Sequence, residues 1–412
     1  MWARLCILSA LISVSFGALL VVHAYGLAAH PKDPRFVRFM RRYDRRSDAS
    51  SRLPAHASTI DRRGEPLEIA EPGSPFQHVL DDLALAAEGR PVQLTLDGRL
   101  QSRAEELMQG KTGAVVALEP ATGRIRALVN APRVNYLNRA LNGLYPPGST
   151  FKVFMSAAAL SADYDPTFDC PAQGWRPAPS TPPIRDVELA EYARKGKTWK
   201  GFGRLRMETA LTHSSNTYYA QLGAGMGPER FGKVVNAAKL RDATTVLSSS
   251  VATLDSVGGG VPDGLSAAQL APVAIGQGSL HLTPLTVAMF TAAVADDGLM
   301  MAPTLSPTVK PSLRARPFTI AAAKRVRQMM RSVVRSGTGR PCEIAGLDVC
   351  GKTGTAQTEH GRDHAWFICF APEKAPKLVV TVVVEHGGFG ATAALPVAKG
   401  VLLEARELGY FR

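Results

Sequence analysis

Ser149 and Lys152 have the residue types and the spacing for nucleophilic chemistry without a histidine. They lie three residues apart at the start of an apolar, alanine-rich stretch, and residues three apart share one face of a helix. A lysine that is desolvated in a pocket loses its preference for the charged form. Such an amine can take the proton of a serine hydroxyl, which is otherwise a poor nucleophile. This pair is the only Ser-x-x-Lys in the chain and predicts a serine nucleophile with a lysine base.

Two further short motifs follow this pair along the chain. They are Ser-Ser-Asn at 214–216, the only Ser-x-Asn, and Lys-Thr-Gly at 352–354, which is followed by Thr355. Each motif alone is weak, since Lys-Thr-Gly also occurs at 111–113. That first copy precedes the serine and leads into a strand pattern, so we interpret it as a turn without catalytic meaning.

The order of the three motifs is typical of penicillin-binding proteins and class A β-lactamases, whose middle motif is Ser-Asp-Asn. The flanking sequence extends the match: Asn-Arg-Ala at 138–140, Tyr-Pro-Pro-Gly at 145–148, Gly-Gln-Gly at 276–278, Gly-Lys-Thr-Gly-Thr-Ala at 351–356 and His-Ala-Trp-Phe at 364–367. From about residue 90 to 412, the chain therefore resembles the transpeptidase domain of penicillin-binding proteins. Residues 60–64 resemble the hairpin that precedes this domain in the monofunctional, class B members.

The resemblance implies a role for each motif residue. Ser149 attacks the carbonyl between two D-alanines of a peptidoglycan stem peptide, and Lys152 accepts its proton. Ser214 relays a proton toward the departing D-alanine. Asn216 hydrogen-bonds the backbone amide of the substrate, and Lys352 positions Ser214 and supplies positive charge. An acyl-enzyme at Ser149, which β-lactams also form, is the implied intermediate.

The third motif is implied to bind the substrate through Thr353, Gly354 and Thr355. Thr353 and Thr355 hold the terminal carboxylate of the stem peptide or of a β-lactam. The backbone N–H groups of Ser149 and Thr355 form the oxyanion hole, in which the loss of one donor costs on the order of 10²–10³ in rate. The resemblance implies no metal and no cofactor.

Several functions stay open because amine and water acceptors use the same acyl-enzyme. With an amine acceptor the protein is a D,D-transpeptidase that cross-links peptidoglycan, and with water it is a D,D-carboxypeptidase. A class D-like β-lactamase or β-lactam sensor is a third function, although Ser-x-Val is the usual middle motif there. An inactive scaffold that organises cell-wall partners is a fourth.

The N-terminal part of the chain predicts a membrane anchor. The 25 residues from Leu5 to Ala29 contain no Asp, Glu, Lys or Arg, and about 20 apolar residues span a bilayer. The run is long for a signal-peptide core, so we expect an uncleaved helix. Positive charge is denser after this run than before it, which by itself would place the C-terminal side in the cytoplasm. The substrate lies outside the cell, so we expect a single-pass protein of the bacterial inner membrane with a periplasmic catalytic domain.

The net charge of the chain indicates which classes of partner it can bind. The net charge is +13 over 412 residues, and much of it lies between Lys32 and Arg63. This pattern is typical of attraction to anionic lipid heads or an anionic polymer, or of a solvated juxtamembrane tail. Nucleic acid fits poorly, because the charge is not interleaved with aromatic residues.

These observations predict the domain organisation and the fold class. Residues 1–30 form a cytoplasmic tip and anchor, 31–89 a basic linker with a short hairpin, and 90–412 the transpeptidase domain. The linker is too short for the pedestal domain of class B members, whose partner is a membrane glycosyltransferase. The expected class is α+β, with an antiparallel β-sheet flanked by helices.

The local patterns predict the main elements. Residues 149–162 are apolar on nearly all faces, which indicates a central buried helix. Residues 351–357, 365–370 and 377–385 indicate three successive antiparallel strands, followed by a helix over about 393–407. We expect one helix over 207–223 and a long loop over 163–202. If the domain is exported, a Cys342–Cys350 disulfide can form; otherwise these are small buried residues.

Overall fold

A computed structural model describes residues 58–69, 74–133 and 137–412. Residues 58–412 form one compact unit. The predicted anchor and most of the basic linker lie outside the described residues. No helix within the described part is long and apolar enough to cross a membrane.

Thirteen strands and eleven α-helices occupy the described residues. The strands are β1 Thr59–Ile60, β2 Val92–Gln93, β3 Gly113–Leu118, β4 Ile125–Ala131, β5 Phe168–Pro171, β6 Gly201–Leu205, β7 Thr244–Ser248, β8 Thr253–Ser256, β9 Met300–Met301, β10 Leu313–Ala315, β11 Cys350–Ala356, β12 His364–Ala371 and β13 Leu378–Val384. The helices are α1 Pro75–Ala86, α2 Gly98–Leu107, α3 Arg139–Asn142, α4 Phe151–Ser161, α5 Glu188–Arg194, α6 Met207–His213, α7 Asn216–Ala237, α8 Ala267–Ala274, α9 Pro284–Ala295, α10 Ile320–Ser336 and α11 Gly390–Glu407.

The central sheet has the strand order β11-β12-β13-β3-β4, and every neighbouring pair is antiparallel. Every residue of β13 is buried, as its run of β-branched side chains predicts. Helices α2 and α11 pack against one face, and α9 packs against the other. The α+β class with an antiparallel sheet flanked by helices is therefore confirmed.

The central helix α4 packs against other helices, chiefly α7, α9 and α10. Nine of its residues, from Phe151 to Ala159, are buried, which confirms the predicted core helix. Phe154 packs edge-on against Phe290 of α9 and against Phe318, at ring-centroid distances of 5.8 and 5.5 Å. Since this helix follows Ser149 directly, its packing fixes the position of the first motif.

Two parts of the chain differ from the sequence-based prediction. The predicted helix over 207–223 is two helices, because Ser214 between α6 and α7 has the left-handed backbone conformation (φ 61°). The predicted loop over 163–202 contains β5, α5 and the start of β6. The sequence pattern did not predict these elements, because they are short, polar or glycine-containing and show no clear periodicity.

The residues before the central sheet include a tight turn and a capped helix. The chain turns at Gly64 (φ 89°) and returns, so that Leu67 N donates to Thr59 O at 2.9 Å. Ser74 caps α1, a helix that the sequence analysis did not predict, by accepting from Gln77 N at 3.1 Å. Val79 and Leu80 of α1 are buried, so this helix has a buried apolar face.

Candidate active site

A turn of 3₁₀-helix, Gly148–Thr150, presents Ser149 at the start of α4. Gly148 has a left-handed backbone (φ 53°), and its N–H donates to Gly276 O at 2.9 Å. A β-carbon on Gly276 would lie 1.9 Å from Gly148 O, so no other residue fits there. The Thr150 hydroxyl donates to Pro147 O at 2.7 Å. Glycine at 148 and 276 therefore allows the close backbone approach that holds the serine in place.

Lys152, in the first turn of α4, is fully buried. Its Nζ donates to Ser214 O at 2.6 Å and to Asn216 Oδ1 at 2.7 Å, and lies 3.3 Å from Ser214 Oγ. Burial lowers the pKa of Lys152 to about 7, against the opposing attraction of Asp186 and Glu188. A large fraction of this amine is thus neutral near physiological pH and can accept a proton.

Ser214 joins the two lysines of the motifs. Lys352 Nζ donates to Ser214 Oγ at 2.8 Å and to Thr353 O at 3.0 Å. Lys352 is also fully buried, and burial together with the charge of Lys152 holds its pKa well below the usual range. The left-handed conformation of Ser214 is costly for a residue other than glycine, and such strain concentrates at functional sites.

Asn216 begins α7 and is held from two sides. Its Oδ1 accepts from Lys152, while its Nδ2 donates to Arg185 O at 3.0 Å. The neighbouring Ser215 caps α7 by accepting from Tyr218 N, and its hydroxyl donates to the buried Asp186 at 3.1 Å. The middle motif therefore combines a helix cap with two side chains, Ser214 and Asn216, that contact the first motif.

The third motif lies on β11, the edge strand of the central sheet. The hydroxyls of Thr353 and Thr338 are 2.7 Å apart. A β-carbon on Gly354 would lie 2.8 Å from the side chain of Thr150, which explains why glycine stands where β11 passes the first motif. The carbonyl oxygen of Thr355 is 2.5 Å from the place that a β-carbon on Gly148 would take. Thr355 and the Ser149 turn are thus adjacent.

A cleft of about 530 Å³ exposes this group of residues. Its lining includes six of the predicted site residues, namely Ser149, Ser214, Asn216, Thr353, Gly354 and Thr355. The two remaining predicted residues, Lys152 and Lys352, are buried and contact Ser214. The structure therefore brings together all eight predicted site residues.

The cleft also contains residues that sequence reasoning missed. They come from the predicted loop, the 276–278 segment, the end of α10 and the start of α11, and include Glu188, Glu191, Gln277, Thr338 and Phe389. Gln277, in the noted Gly-Gln-Gly segment, donates to Thr355 O at 3.4 Å. The remaining residues carry no motif, so only the fold reveals them.

The arrangement is suited to acyl transfer by a serine hydroxyl. Within the described residues, the Ser149 hydroxyl makes no hydrogen bond, and two lysines with lowered pKa values lie behind Ser214. No group of three His, Cys, Asp or Glu side chains in the described chain could hold a metal ion. The first Lys-Thr-Gly copy, at 111–113, lies elsewhere, where Lys111 Nζ donates to Leu107 O and Gly113 begins β3.

The Cys342–Cys350 disulfide is not formed. Both residues are buried free thiols, as are Cys170 and Cys369. Cys342 lies instead in the same buried core as Cys369 of β12, where burial and the neighbouring thiol of Cys342 raise the pKa of Cys369. The sequence spacing suggested a pair, but β11 and β12 bring a different cysteine to Cys342.

Comparison with known proteins agrees with this geometry. Residues 113–403 match the family model of the penicillin binding protein transpeptidase domain. The peptidoglycan D,D-transpeptidase PbpA of Mycolicibacterium smegmatis is 31% identical over 375 residues, which cover 78% of this chain and 73% of PbpA.

Solved structures give the same result. The D,D-transpeptidase domain of a peptidoglycan glycosyltransferase from Eggerthella lenta superimposes with a TM-score of 0.71 at 26% identity, covering 86% of this chain and 98% of that chain. The imipenem acyl-enzyme complex of penicillin-binding protein A from M. tuberculosis has a TM-score of 0.68 at 28% identity, over 85% of this chain and 90% of that one. The chain therefore belongs to the family of penicillin-binding protein transpeptidase domains.

Proposed function

We propose that this protein is a membrane-anchored D,D-transpeptidase that cross-links peptidoglycan stem peptides through an acyl-enzyme at Ser149. The observation that carries the proposal is the pair of buried lysines, Lys152 and Lys352, joined through Ser214 beside a free serine hydroxyl. The family membership supports the same reaction class. We expect β-lactams to acylate Ser149, since penicillin-binding protein A from M. tuberculosis forms an acyl-enzyme complex with imipenem.

Acylation begins with the neutral Lys152 amine taking the Ser149 hydroxyl proton. The Ser149 Oγ forms a bond to the carbonyl carbon between the two terminal D-alanines. When the tetrahedral intermediate collapses, the carbon–nitrogen bond breaks and the last D-alanine leaves. Its amine receives a proton through Ser214, which lies within hydrogen-bond distance of both lysines.

The substrate is held along β11 and by the middle motif. Thr353 and Thr355 bind the terminal carboxylate, close to the positive charge that Lys352 provides when protonated. The Asn216 amide faces the cleft and hydrogen-bonds the substrate backbone. The backbone N–H groups of Ser149 and Thr355 stabilise the oxyanion.

An amine from a neighbouring stem peptide resolves the acyl-enzyme. As its nitrogen bonds to the acyl carbon, the amine gives up a proton to Lys152; the bond to Ser149 Oγ then breaks, and Lys152 returns that proton to the serine. Because the cleft is open to solvent, water competes with the amine. When a β-lactam ring opens, its leaving nitrogen stays covalently attached to the acyl group. It therefore does not vacate the cleft for amine or water, and the acyl-enzyme persists.

The proposal includes a position for the protein in the cell. The uncharged run from Leu5 to Ala29 serves as a single anchor in the lipid bilayer of a bacterial inner membrane, with the catalytic domain in the periplasm. A membrane glycosyltransferase that supplies new glycan strands is the proposed partner.

A product assay tests the choice of acceptor. The full chain in detergent is incubated with a stem peptide ending in D-alanyl-D-alanine, with and without an amine acceptor, and products are measured by mass spectrometry. We expect a cross-linked product only with the acceptor, and none from Ser149→Ala. Hydrolysis alone, at any acceptor concentration, would assign the protein as a carboxypeptidase.

A topology assay tests the location. A reporter that is active only in the periplasm, fused to the C-terminus, should be active. Activity of a cytoplasmic reporter at the same position would contradict the proposed location.

A further inference from the structure

A second pocket, of about 410 Å³, is lined mainly by arginines. This arginine pocket is formed by Arg62, Arg63, Arg124 and Arg126, together with Gln93 and Thr95, and none of these residues lines the catalytic cleft. Among the described residues, no Asp or Glu lines it. Four guanidinium groups around one open space are suited to an anion, because each presents several N–H donors.

Three segments of the chain supply these arginines. Arg62 and Arg63 precede the turn at Gly64, and Arg124 directly precedes β4. Arg126 is the extra residue of a β-bulge in β4, because the register between β3 and β4 shifts there. A bulge re-aims a side chain, and bulges are common in edge strands such as β4. The fold therefore brings arginines from distant segments to one pocket.

The two arginines of the turn share a single carboxylate oxygen. Arg62 and Arg63 both donate to Oδ2 of the buried Asp97, at 2.9 and 3.1 Å. The neighbouring carboxylate of Asp61 accepts from three backbone N–H groups instead. The side chains of the two arginines are 31% and 32% exposed, so the donors that Asp97 does not use are available to a ligand.

Arg124 is the arginine of this pocket that has no protein partner. Arg126 pairs with Glu119 at 2.7 Å and donates to Thr95 O at 2.7 Å. By contrast, the Arg124 side chain forms no hydrogen bond or ion pair within the part of the chain that the structure describes, and its Nε is buried. A buried donor of a charged group is costly to leave unpaired. An anion in the pocket would satisfy this donor.

A phosphate group fits this pocket better than a carboxylate. A phosphate monoester carries a charge of about −1.5 to −2 at neutral pH and has three strong acceptor oxygens. A carboxylate has a single negative charge and two oxygens, so it satisfies fewer of the donors that four guanidinium groups present. Arg62 and Arg63 also end the basic stretch that begins at Lys32, and such stretches attract anionic lipid heads or polymers.

We propose that the arginine pocket binds a phosphate monoester or diphosphate group, and that Arg124 provides the donor that no protein group accepts. Arg62, Arg63 and Arg126 supply further positive charge, while their carboxylate partners hold them in place. The group belongs either to a lipid headgroup or to a soluble phosphorylated molecule, which share this chemistry. This site is additional to the one at which Ser149 is acylated.

Binding of inorganic pyrophosphate tests the proposal. The full chain in a non-ionic detergent is titrated with pyrophosphate in a calorimeter, at an ionic strength that sodium chloride keeps constant. Succinate, a dicarboxylate, is titrated in the same way. Arg124→Gln removes the unpaired guanidinium. Arg335→Gln is the matched control, because Arg335 is exposed on α10 and does not line the pocket.

We expect Arg124→Gln to bind pyrophosphate about tenfold more weakly than the wild type, the effect of losing one hydrogen bond to a charged group. Arg335→Gln should bind it as the wild type does, and succinate should bind more weakly than pyrophosphate. Because Arg124 has no partner in the described chain, ligand-free Arg124→Gln should keep the wild-type midpoint of thermal unfolding. Penicillin should label it normally.

Mixed micelles distinguish the two sources of the phosphate. Phosphatidic acid exposes a phosphate monoester, and phosphatidylcholine at the same concentration is its control. Displacement of pyrophosphate by phosphatidic acid alone would assign the pocket to a lipid headgroup. Retention of pyrophosphate with both lipids would assign it to a soluble phosphorylated molecule.

Three results would overturn the phosphate site. The first is a wild-type protein that does not bind pyrophosphate, or that binds succinate equally well. The second is equal affinity of Arg124→Gln and the wild type for pyrophosphate. The third is a lower unfolding midpoint of ligand-free Arg124→Gln, which would show that this guanidinium stabilises the fold instead.

Discussion

Lys152 and Lys352 are both fully buried, and neither forms an ion pair with a carboxylate of the described chain. Desolvation is therefore the main cause of their lowered pKa values. An uncompensated buried charge is costly, so the fold favours the neutral amines. At the scale of the residue, the free-energy cost of burying a charged amine keeps Lys152 neutral enough to act as a base.

The pKa of Lys152 sets the pH dependence of acylation. Below about pH 7 the amine is protonated and cannot take the serine proton, so the rate constant for penicillin acylation should rise about tenfold from about pH 6 to about pH 8 and then level off. Stopped-flow labelling with a fluorescent penicillin measures this rate. Lys152→Arg stays charged over the whole range and should be inactive throughout. A flat profile for the wild type would show that Lys152 does not titrate as the base.

Ser214 has two roles that substitutions can separate. Ser214→Ala removes the hydroxyl between the two lysines, so we expect acylation to slow by about 10²–10⁴-fold. Ser214→Gly should slow acylation equally but be about 1 kcal/mol more stable than Ser214→Ala, because glycine adopts the left-handed conformation without strain. Penicillin labelling and thermal unfolding measure the two effects. Faster acylation by the glycine variant than by the alanine variant would assign the backbone, rather than the hydroxyl, the larger role.

The motif residues that the sequence singled out lie together in the structure, whereas the sequence did not reveal their partners in the cleft. Ser149, Lys152 and Lys352 carry spaced motifs, and such motifs are visible without a structure. Glu188 and Thr338 have no motif, because their role in the cleft depends on distant segments folding together.

At the scale of the element, breaks in regular structure position the site. Ser214 lies where α6 ends and α7 begins, and Ser149 lies in the turn before α4. The periodicity of 207–223 predicted one continuous helix, since a single residue in the left-handed conformation leaves the apolar pattern intact. The α5 segment was predicted as loop because a seven-residue helix has too few turns to show a period.

Gly276 and Gly278 form a matched pair that tests the turn. Both have left-handed backbones, with φ of 76° and 71°. A β-carbon on Gly276 would lie 1.9 Å from Gly148 O, whereas the nearest atom for Gly278 is 3.7 Å away. Gly278→Ala should cost about 1 kcal/mol of unfolding free energy and keep acylation. Gly276→Ala should cost more and slow acylation strongly, as measured by thermal unfolding and penicillin labelling. Equal effects of the two variants would show that the contact with Gly148 does not position Ser149.

At the scale of the whole molecule, the α+β class followed from β13 and its neighbours. Continuous β-branched sequence marks a buried strand, and the mixture of such strands with apolar helices predicted a flanked antiparallel sheet. The order β11-β12-β13-β3-β4 could not be predicted, because β3 and β4 are distant in sequence from the three strands that they join. The suggested Cys342–Cys350 disulfide is wrong for a similar reason, since the fold places Cys369 of β12 near Cys342.

The free thiols predict how the fold responds to a reductant. With no disulfide among the described cysteines, the midpoint of thermal unfolding should be the same with and without dithiothreitol. Removal of a native disulfide typically costs about 2–5 kcal/mol, which would lower the midpoint by several degrees. A lower midpoint in the presence of the reductant would show that a disulfide does form.

The central claim is that Ser149 forms a lasting acyl-enzyme. The most direct measurement is mass spectrometry of the full chain after incubation with penicillin, followed by peptide mapping. We predict one adduct, of the mass of the intact penicillin, on the peptide that contains Ser149, and no adduct on Ser149→Ala. An adduct elsewhere, rapid release of the penicillin as hydrolysed product, or no adduct on the wild-type protein would contradict this account.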